Sequence, residues 1–172
     1  MTSRSTAGLA RLNAVDDETA ARLLREVCAS TAWAAAVLAK RPYPDAEALF
    51  AASDSALREM TAEDLGEAMA GHPPIGRPKP GDPASAREQR GMAGASDRLR
   101  AELLELNLAY QERFGHVFLI CATGLTGEQM RDAARARIGN TLEQEREIVR
   151  GELGKINRIR LTRLASAEGD PS

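Results

Sequence analysis

Phe114-Gly115-His116-Val117-Phe118-Leu119-Ile120-Cys121-Ala122 is the stretch of this chain whose period breaks from everything around it. It is a continuous apolar run with aromatic and β-branched residues, and it reads as a buried extended segment. No second strand-like run stands elsewhere, so no ordinary sheet can form around it. A lone extended segment carries backbone donors and acceptors without a ladder partner. Two solutions exist: the groups line a polar ligand, or side chains and water brace them.

On either side the chain reads as helix. Residues 85 to 113 carry a stripe of Leu99, Leu103, Leu106 and Tyr110, spaced by four, three and four, which is one apolar helix face. Gly91 and Gly94 weaken its start and suit a break or a close backbone approach. Thr126-Gly127-Glu128-Gln129 and Thr141-Leu142-Glu143-Gln144 both match a capping box, with threonine followed three residues on by glutamine. The first of these helices is expected to stop at Gly139-Asn140. The second is expected to run to about residue 164, with Val149, Leu153, Ile156 and Ile159 inward. Lys155, Arg158, Arg160 and Arg163 crowd its last turns and read as a solvent face matched to the helix dipole.

The N-terminal half follows the same pattern. Residues 16 to 38 are expected to form one alanine-rich helix, ended by Arg41-Pro42-Tyr43-Pro44. A second covers residues 45 to 59. Thr61 caps a third, with Leu65 and Met69 inward, which stops near Gly71. Together these segments predict an all-α fold, a single-domain helical bundle of about seven to nine helices with one buried extended segment. Residues 1–11 are expected as a flexible N-terminus, 12–164 as the helical domain and 165–172 as a flexible tail.

Composition narrows the functional classes. The chain has 172 residues, 43% hydrophobic and 28% charged, which fits one soluble domain or two tightly packed halves. Aromatics are only 3%, so alanine and leucine must fill the core. A net charge of −2 implies no basic face, and nucleic acid is not an expected partner. No run is long enough to span a membrane, and the polar opening residues lack the apolar core of a secretory signal. Cys28 and Cys121 both sit among apolar residues and read as buried free thiols, which suits a reducing cytoplasm. Two histidines and two cysteines without ligand-pair spacing make no metal site.

The chemistry-bearing stretch is Gly71-His72-Pro73-Pro74-Ile75-Gly76, leading through a Pro/Gly-rich loop to Ser85-Ala86-Arg87-Glu88-Gln89. A histidine on a proline-stiffened turn, followed by a helix-borne carboxylate, is what a proton-transfer site needs. Each residue also has a plain structural reading. His72 could simply follow a helix end, Ser85 could be an N-cap, Glu88 could decorate the helix dipole, and Gln89 could face solvent. His116 reads as a turn residue. Cys121 reads as core, with nothing basic beside it in sequence.

Four motifs in order carry a resemblance. They are Gly71-His72-Pro73, Ser85-x-x-Glu88-Gln89, Arg113-Phe114-Gly115-x-x-Phe118-Leu119-Ile120-Cys121, and Gly154-Lys155-Ile156-x-x-Ile159-Arg160-Leu161. With the opening Leu12-Asn13-Ala14, this pattern resembles the 2-oxo-4-hydroxy-4-carboxy-5-ureidoimidazoline (OHCU) decarboxylase family of urate breakdown, from about residue 12 to residue 164. The resemblance implies an all-helical fold, often a homodimer, and loss of CO2 from OHCU to give (S)-allantoin without metal or organic cofactor. It implies His72 and Glu88 as catalytic groups. Pro73, Ser85, Gln89, Phe118, Leu119, Ile120, Cys121 and Ala122 would contact the substrate, the last four through backbone groups around the extended segment. It also implies a cleft between the His72 loop and the Ser85 helix, floored by residues 118–122.

Two departures accompany it. Where many members carry a Glu-His-Ser-Pro-Trp-like stretch, this chain has Ala29-Ser30-Thr31-Ala32-Trp33. Where animal members place an arginine after the Cys-Ala of the extended segment, it has Thr123. A charge contact is then either absent or supplied by another basic residue, such as Arg77 or Arg87. Two alternatives stay open: a decarboxylase or lyase acting on a related ureido or imidazole acid, and a non-catalytic helical module that docks through its Pro-rich loop.

Overall fold

A computed structural model describes residues 7–72 and 88–166. Among these it contains eight α-helices: α1 Ala7–Ala14, α2 Asp17–Val27, α3 Thr31–Ala39, α4 Ala46–Arg58, α5 Ala62–Ala70, α6 Asp97–Phe114, α7 Gly127–Arg137 and α8 Leu142–Ser166. A short 3₁₀ turn, Arg90–Met92, precedes α6, and no strand occurs among the described residues. The expected all-α class is the observed one. The described residues fall into two compact units, drawn from Met1–Ala68 with Gly154–Ser172 and from Met69–Leu153.

In the first unit the expected single helix over residues 16 to 38 is two helices. Cys28 turns to β conformation (φ −143°, ψ 123°), and the fully buried Ser30 accepts a hydrogen bond from the Trp33 amide at 3.2 Å. A serine hydroxyl that caps the next turn competes with continuing the previous one. The chain is also helical earlier than expected. α1 begins at Ala7, inside the segment expected to be flexible, because Leu9 and Leu12 bury there.

Trp33, Leu24, Val37, Leu49, Leu65 and Leu161 are almost wholly removed from water and form the apolar interior of this unit. The Trp33 indole N–H is satisfied by Ser53 Oγ at 3.2 Å. Arg41 Nη1 donates to the carbonyls of Leu12 and Val15, at 2.8 and 2.7 Å, which ties the α1–α2 corner to the proline turn. The basic cluster on α8 is not simply a solvent face. Arg158 lies 4.6 Å over the Phe50 ring, and Arg160 Nη1 donates to the Val27 carbonyl at 2.9 Å.

The second unit is built around the segment that decided the fold. Phe118, Ile120 and Ala122 pack in one cluster with Met92, Leu103, Tyr110, Met130 and Ala134. Packing of alternate residues into one cluster is the signature of extended chain. Two of the expected capping boxes are present, with Thr126 and Gln129 opening α7 and Thr141 and Gln144 opening α8.

A buried charge stands beside this cluster. Glu145, 1% exposed, accepts hydrogen bonds from Arg137 Nε at 2.7 Å, Tyr110 Oη at 2.6 Å and Asn140 Nδ2 at 3.1 Å. Burial alone would push its carboxyl up, but the hydrogen bonds and the Arg137 charge outweigh burial and hold it below its ordinary value of 4.5. Burial first, and then the bond to Glu145, push the Tyr110 hydroxyl well above its ordinary value.

A carboxylate whose folded pKa is lowered contributes stability above its unfolded value, and that contribution is lost as pH falls through the folded one. Thermal stability of the wild type should therefore drop more steeply below about pH 4.5 than that of Glu145→Gln, which has no proton to gain there. At neutral pH, Glu145→Ala should cost about 3–5 kcal/mol by stranding Arg137, as read from urea denaturation.

Candidate active site

The residues expected to do chemistry reach the second unit from three places. His72 follows the end of α5, where its amide donates to the Met69 carbonyl at 3.0 Å and its side chain is half-buried. Glu88 and Gln89 lead into the 3₁₀ turn, Glu88 half-buried and Gln89 buried at 6% exposure. Residues 118–122 supply the buried segment. Pro73 and Ser85 lie outside the described residues, as do Arg77, Arg87, the Pro-rich loop and the cleft expected beside it.

The helix expected to run from residue 85 to 113 is interrupted. Gly94 takes φ +78°, a left-handed conformation that side chains resist, and Ser96 then caps α6 by accepting from the Leu99 amide at 3.1 Å. The exposed Arg100 ties the turn to α6, donating to the Met92 carbonyl at 2.8 Å. The interruption leaves Glu88 helical and Gln89 in the turn that follows it, both ahead of the 3₁₀ turn and outside α6.

That turn is pressed against the end of the extended segment. A Cβ at Gly91 would stand 1.8 Å from the Leu125 carbonyl oxygen, and Met92 packs in the same cluster as Ile120 and Ala122. The structure thus brings the Arg90–Met92 turn, which directly follows Glu88 and Gln89, against the extended segment and Leu125. Glycine at position 91 is what this approach requires.

Within the segment the side chains and the backbone have different tasks. The Phe118 ring lies under the Arg137 guanidinium at 4.6 Å and meets Tyr110 edge-on at 5.3 Å. Phe118, Ile120 and Ala122 are thereby committed to the core by their side chains. The Leu119 carbonyl accepts from Arg137 Nη1 at 2.7 Å, and the Cys121 amide donates to Glu152 Oε1 at 3.1 Å. Bracing by side chains, one of the two solutions open from the sequence, is therefore used at these two groups.

Cys121 is a half-buried thiol and Cys28 a buried one, the latter pushed up by burial. His116 acts locally, its Nδ1 3.0 Å from the Val117 carbonyl and its ring 5.5 Å from that of Tyr110. Arg137, Glu145 and Glu152 are the residues that sequence reasoning missed. The charges at positions 137 and 145 stand among many on helices that read as amphipathic, and only an unpartnered extended segment pointed to a need for them.

The fold is shared with solved structures. One, described as OHCU decarboxylase in the presence of (S)-allantoin, superposes with a TM-score of 0.75 at 27% identity, over 88% of this chain and 99% of that one. A second, an (S)-allantoin synthase, matches in fold with a TM-score of 0.69 at 20% identity, over 91% of this chain and 53% of that one. The sequence pattern of the OHCU decarboxylase family matches residues 13–162, and the chain belongs to that family.

Two curated relatives extend the comparison. The uric acid degradation bifunctional protein TTL of Arabidopsis thaliana is 31% identical over 146 residues, which is 81% of this chain and 45% of that protein. The uric acid degradation bifunctional protein PucL of Bacillus subtilis (strain 168) is 26% identical over 162 residues, 92% of this chain and 33% of that protein. The chain thus spans less than half the length of either relative.

Gly91→Ala tests the approach that holds the Arg90–Met92 turn. Forcing the two backbones apart should cost about 1–3 kcal/mol, read as a lowered denaturation midpoint. A variant as stable as the wild type would show that the turn does not depend on this contact.

Proposed function

We propose that this protein removes CO2 from 2-oxo-4-hydroxy-4-carboxy-5-ureidoimidazoline to give (S)-allantoin, without a cofactor. One observation carries the reading. In a chain that belongs to the OHCU decarboxylase family over residues 13–162, the motif residues His72, Glu88, Gln89 and 118–122 all fall in one compact unit. The relatives named for uric acid degradation and the similar structure described with (S)-allantoin support the same reading.

The chemistry suits these residue types. Breaking the bond to the carboxylate leaves an electron pair on carbon, and the neighbouring ring imine of this substrate accepts it. No external electron sink is needed. The protein must take the hydroxyl proton as that carbon becomes a carbonyl, hold the carboxylate, and deliver a proton to one face of the former imine carbon, which bears the ureido group. A histidine exchanges protons near neutrality, since its unperturbed pKa is about 6.5. In this proposal His72 takes or orients the hydroxyl proton, while Glu88 hydrogen-bonds the ring and assists proton return. Gln89, Pro73 and Ser85 contribute contacts, and the backbone of residues 119–122 meets the ring and ureido groups. Acid–base help of this kind is worth about 10²–10⁴-fold.

Generating the substrate in situ from urate, with urate oxidase and hydroxyisourate hydrolase, and following circular dichroism tests the reading. Rapid growth of an (S)-allantoin signal is expected, and His72→Asn, correctly folded, should lose about 10²–10⁴-fold in rate. Decay to racemic allantoin at the spontaneous rate would defeat the proposal. It would turn attention to Thr123, which stands where animal members of the family place an arginine, and to the alternative of a related ureido or imidazole acid as substrate.

A cytoplasmic homodimer belongs to the same proposal. Leu104 and Leu108, one turn apart on α6, are 41% and 59% exposed, a pair that a second copy would cover. Leu108→Glu should then shift the molecular mass measured by light scattering from dimer to monomer.

A further inference from the structure

We propose that Glu152 and Arg137 are positioning residues for this site, acting as a two-point clamp on the backbone at Cys121 and Leu119. The inference rests on the decarboxylase reading and extends it to residues that never touch the substrate.

The clamp is visible in the hydrogen bonds. Arg137 Nη1 holds the Leu119 carbonyl at 2.7 Å and Glu152 Oε1 holds the Cys121 amide at 3.1 Å. Arg137 is itself fixed by Glu145, which Tyr110 and Asn140 also grip. Glu145 and Glu152 are seven residues apart on α8, about two helical turns, so they project from one face. One helix face therefore orders both ends of a three-residue stretch, through Arg137 at one end and directly at the other.

The stretch has a directional consequence. In extended chain successive residues direct their amide and carbonyl to opposite edges. The Leu119 carbonyl and the Cys121 amide share one edge, and both are taken by the clamp. By the same alternation the amide and carbonyl of Ile120 are directed to the opposite edge, side by side, the arrangement that pairs with a cyclic amide or ureide. Meanwhile the Phe118, Ile120 and Ala122 side chains lock the rotation of the extended segment about its own axis. The clamp thus sets which backbone groups a ureido substrate meets and at what height. A misplacement of about 1 Å can cost about 10²-fold in rate.

The test compares wild type, Glu152→Ala and Glu152→Gln for melting temperature, kcat, KM and the enantiomeric purity of allantoin. Glu152→Ala is expected to lose about 10- to 100-fold in kcat/KM and to yield less pure (S)-allantoin. Glu152→Gln, whose amide oxygen still accepts from the Cys121 amide, should restore both. A merely structural role would lower the melting temperature and leave the product's handedness unchanged. Should Glu152→Ala fail to fold, Glu152→Asp, which withdraws the carboxylate by one methylene, carries the comparison with the same outcomes. A folded Ala or Asp variant with wild-type kcat/KM and purity overturns the clamp, as does a Gln variant as impaired as the Ala variant. Absence of stereospecific turnover by the wild type overturns the decarboxylase reading and the clamp with it, whereas wild-type turnover indifferent to Glu152 overturns the clamp alone.

Discussion

The buried contact between Arg137 and Glu145 is the constraint on which the second unit depends. An isolated extended segment in a helical protein is costly, because each buried amide or carbonyl without a partner loses about 1–3 kcal/mol. Arg137 relieves part of that cost at the Leu119 carbonyl, and Arg137 itself needs a counter-charge in the interior. Glu145 supplies it, and its carboxylate also accepts from Tyr110 at Oε1 and from Asn140 at Oε2. Removing Glu145 leaves the Arg137 charge without its counter-charge in the low-dielectric interior, and removing Arg137 leaves the Glu145 charge without its own.

The same network explains features that look unrelated. Tyr110 ends the apolar stripe of α6, so its ring is core while its hydroxyl serves Glu145. The Phe118 ring meets both Tyr110 and the Arg137 guanidinium, which places an aromatic face against a cation that already has hydrogen-bond partners. α7 ends on Arg137, and α8 places Glu145 in its first turn. An alanine-rich chain with few aromatics spends two of them, Tyr110 and Phe118, at this one place.

Much of this was legible in the sequence, and the failures have physical causes. The apolar run around Phe118, the stripe from Leu99 to Tyr110 and the two threonine capping boxes are strong periodic or local signals, and they correspond to observed elements. The breaks at Ser30 and Gly94 were the harder features. Ser30 lies in an alanine-rich run where helix propensity is high throughout, and a single hydroxyl that finds the Trp33 amide overrides it. The start of α6 depended on whether Gly94 would adopt positive φ, which packing decides. For the candidate site, the motifs named His72, Glu88 and Gln89, but nothing local marked Arg137 or Glu152. Their partners are 18 and 31 residues away in sequence, and only the fold brings them together.

A division of labour follows from these placements. The groups proposed for proton transfer sit where a histidine and a carboxylate can be adjusted: His72 after a helix end, and Glu88 ahead of a glycine-containing turn. The groups that order the backbone sit on helices, where position is fixed by regular hydrogen bonding. A cofactor carries its own electronic apparatus and tolerates a protein that only holds it. A site that works by backbone contacts has no such aid, and its selectivity can be no better than the rigidity of the segment that presents them. On the proposed reading, the charged residues that brace residues 118–122 are therefore part of the catalytic design, because among the described residues the segment has no neighbouring strand to hold it in register.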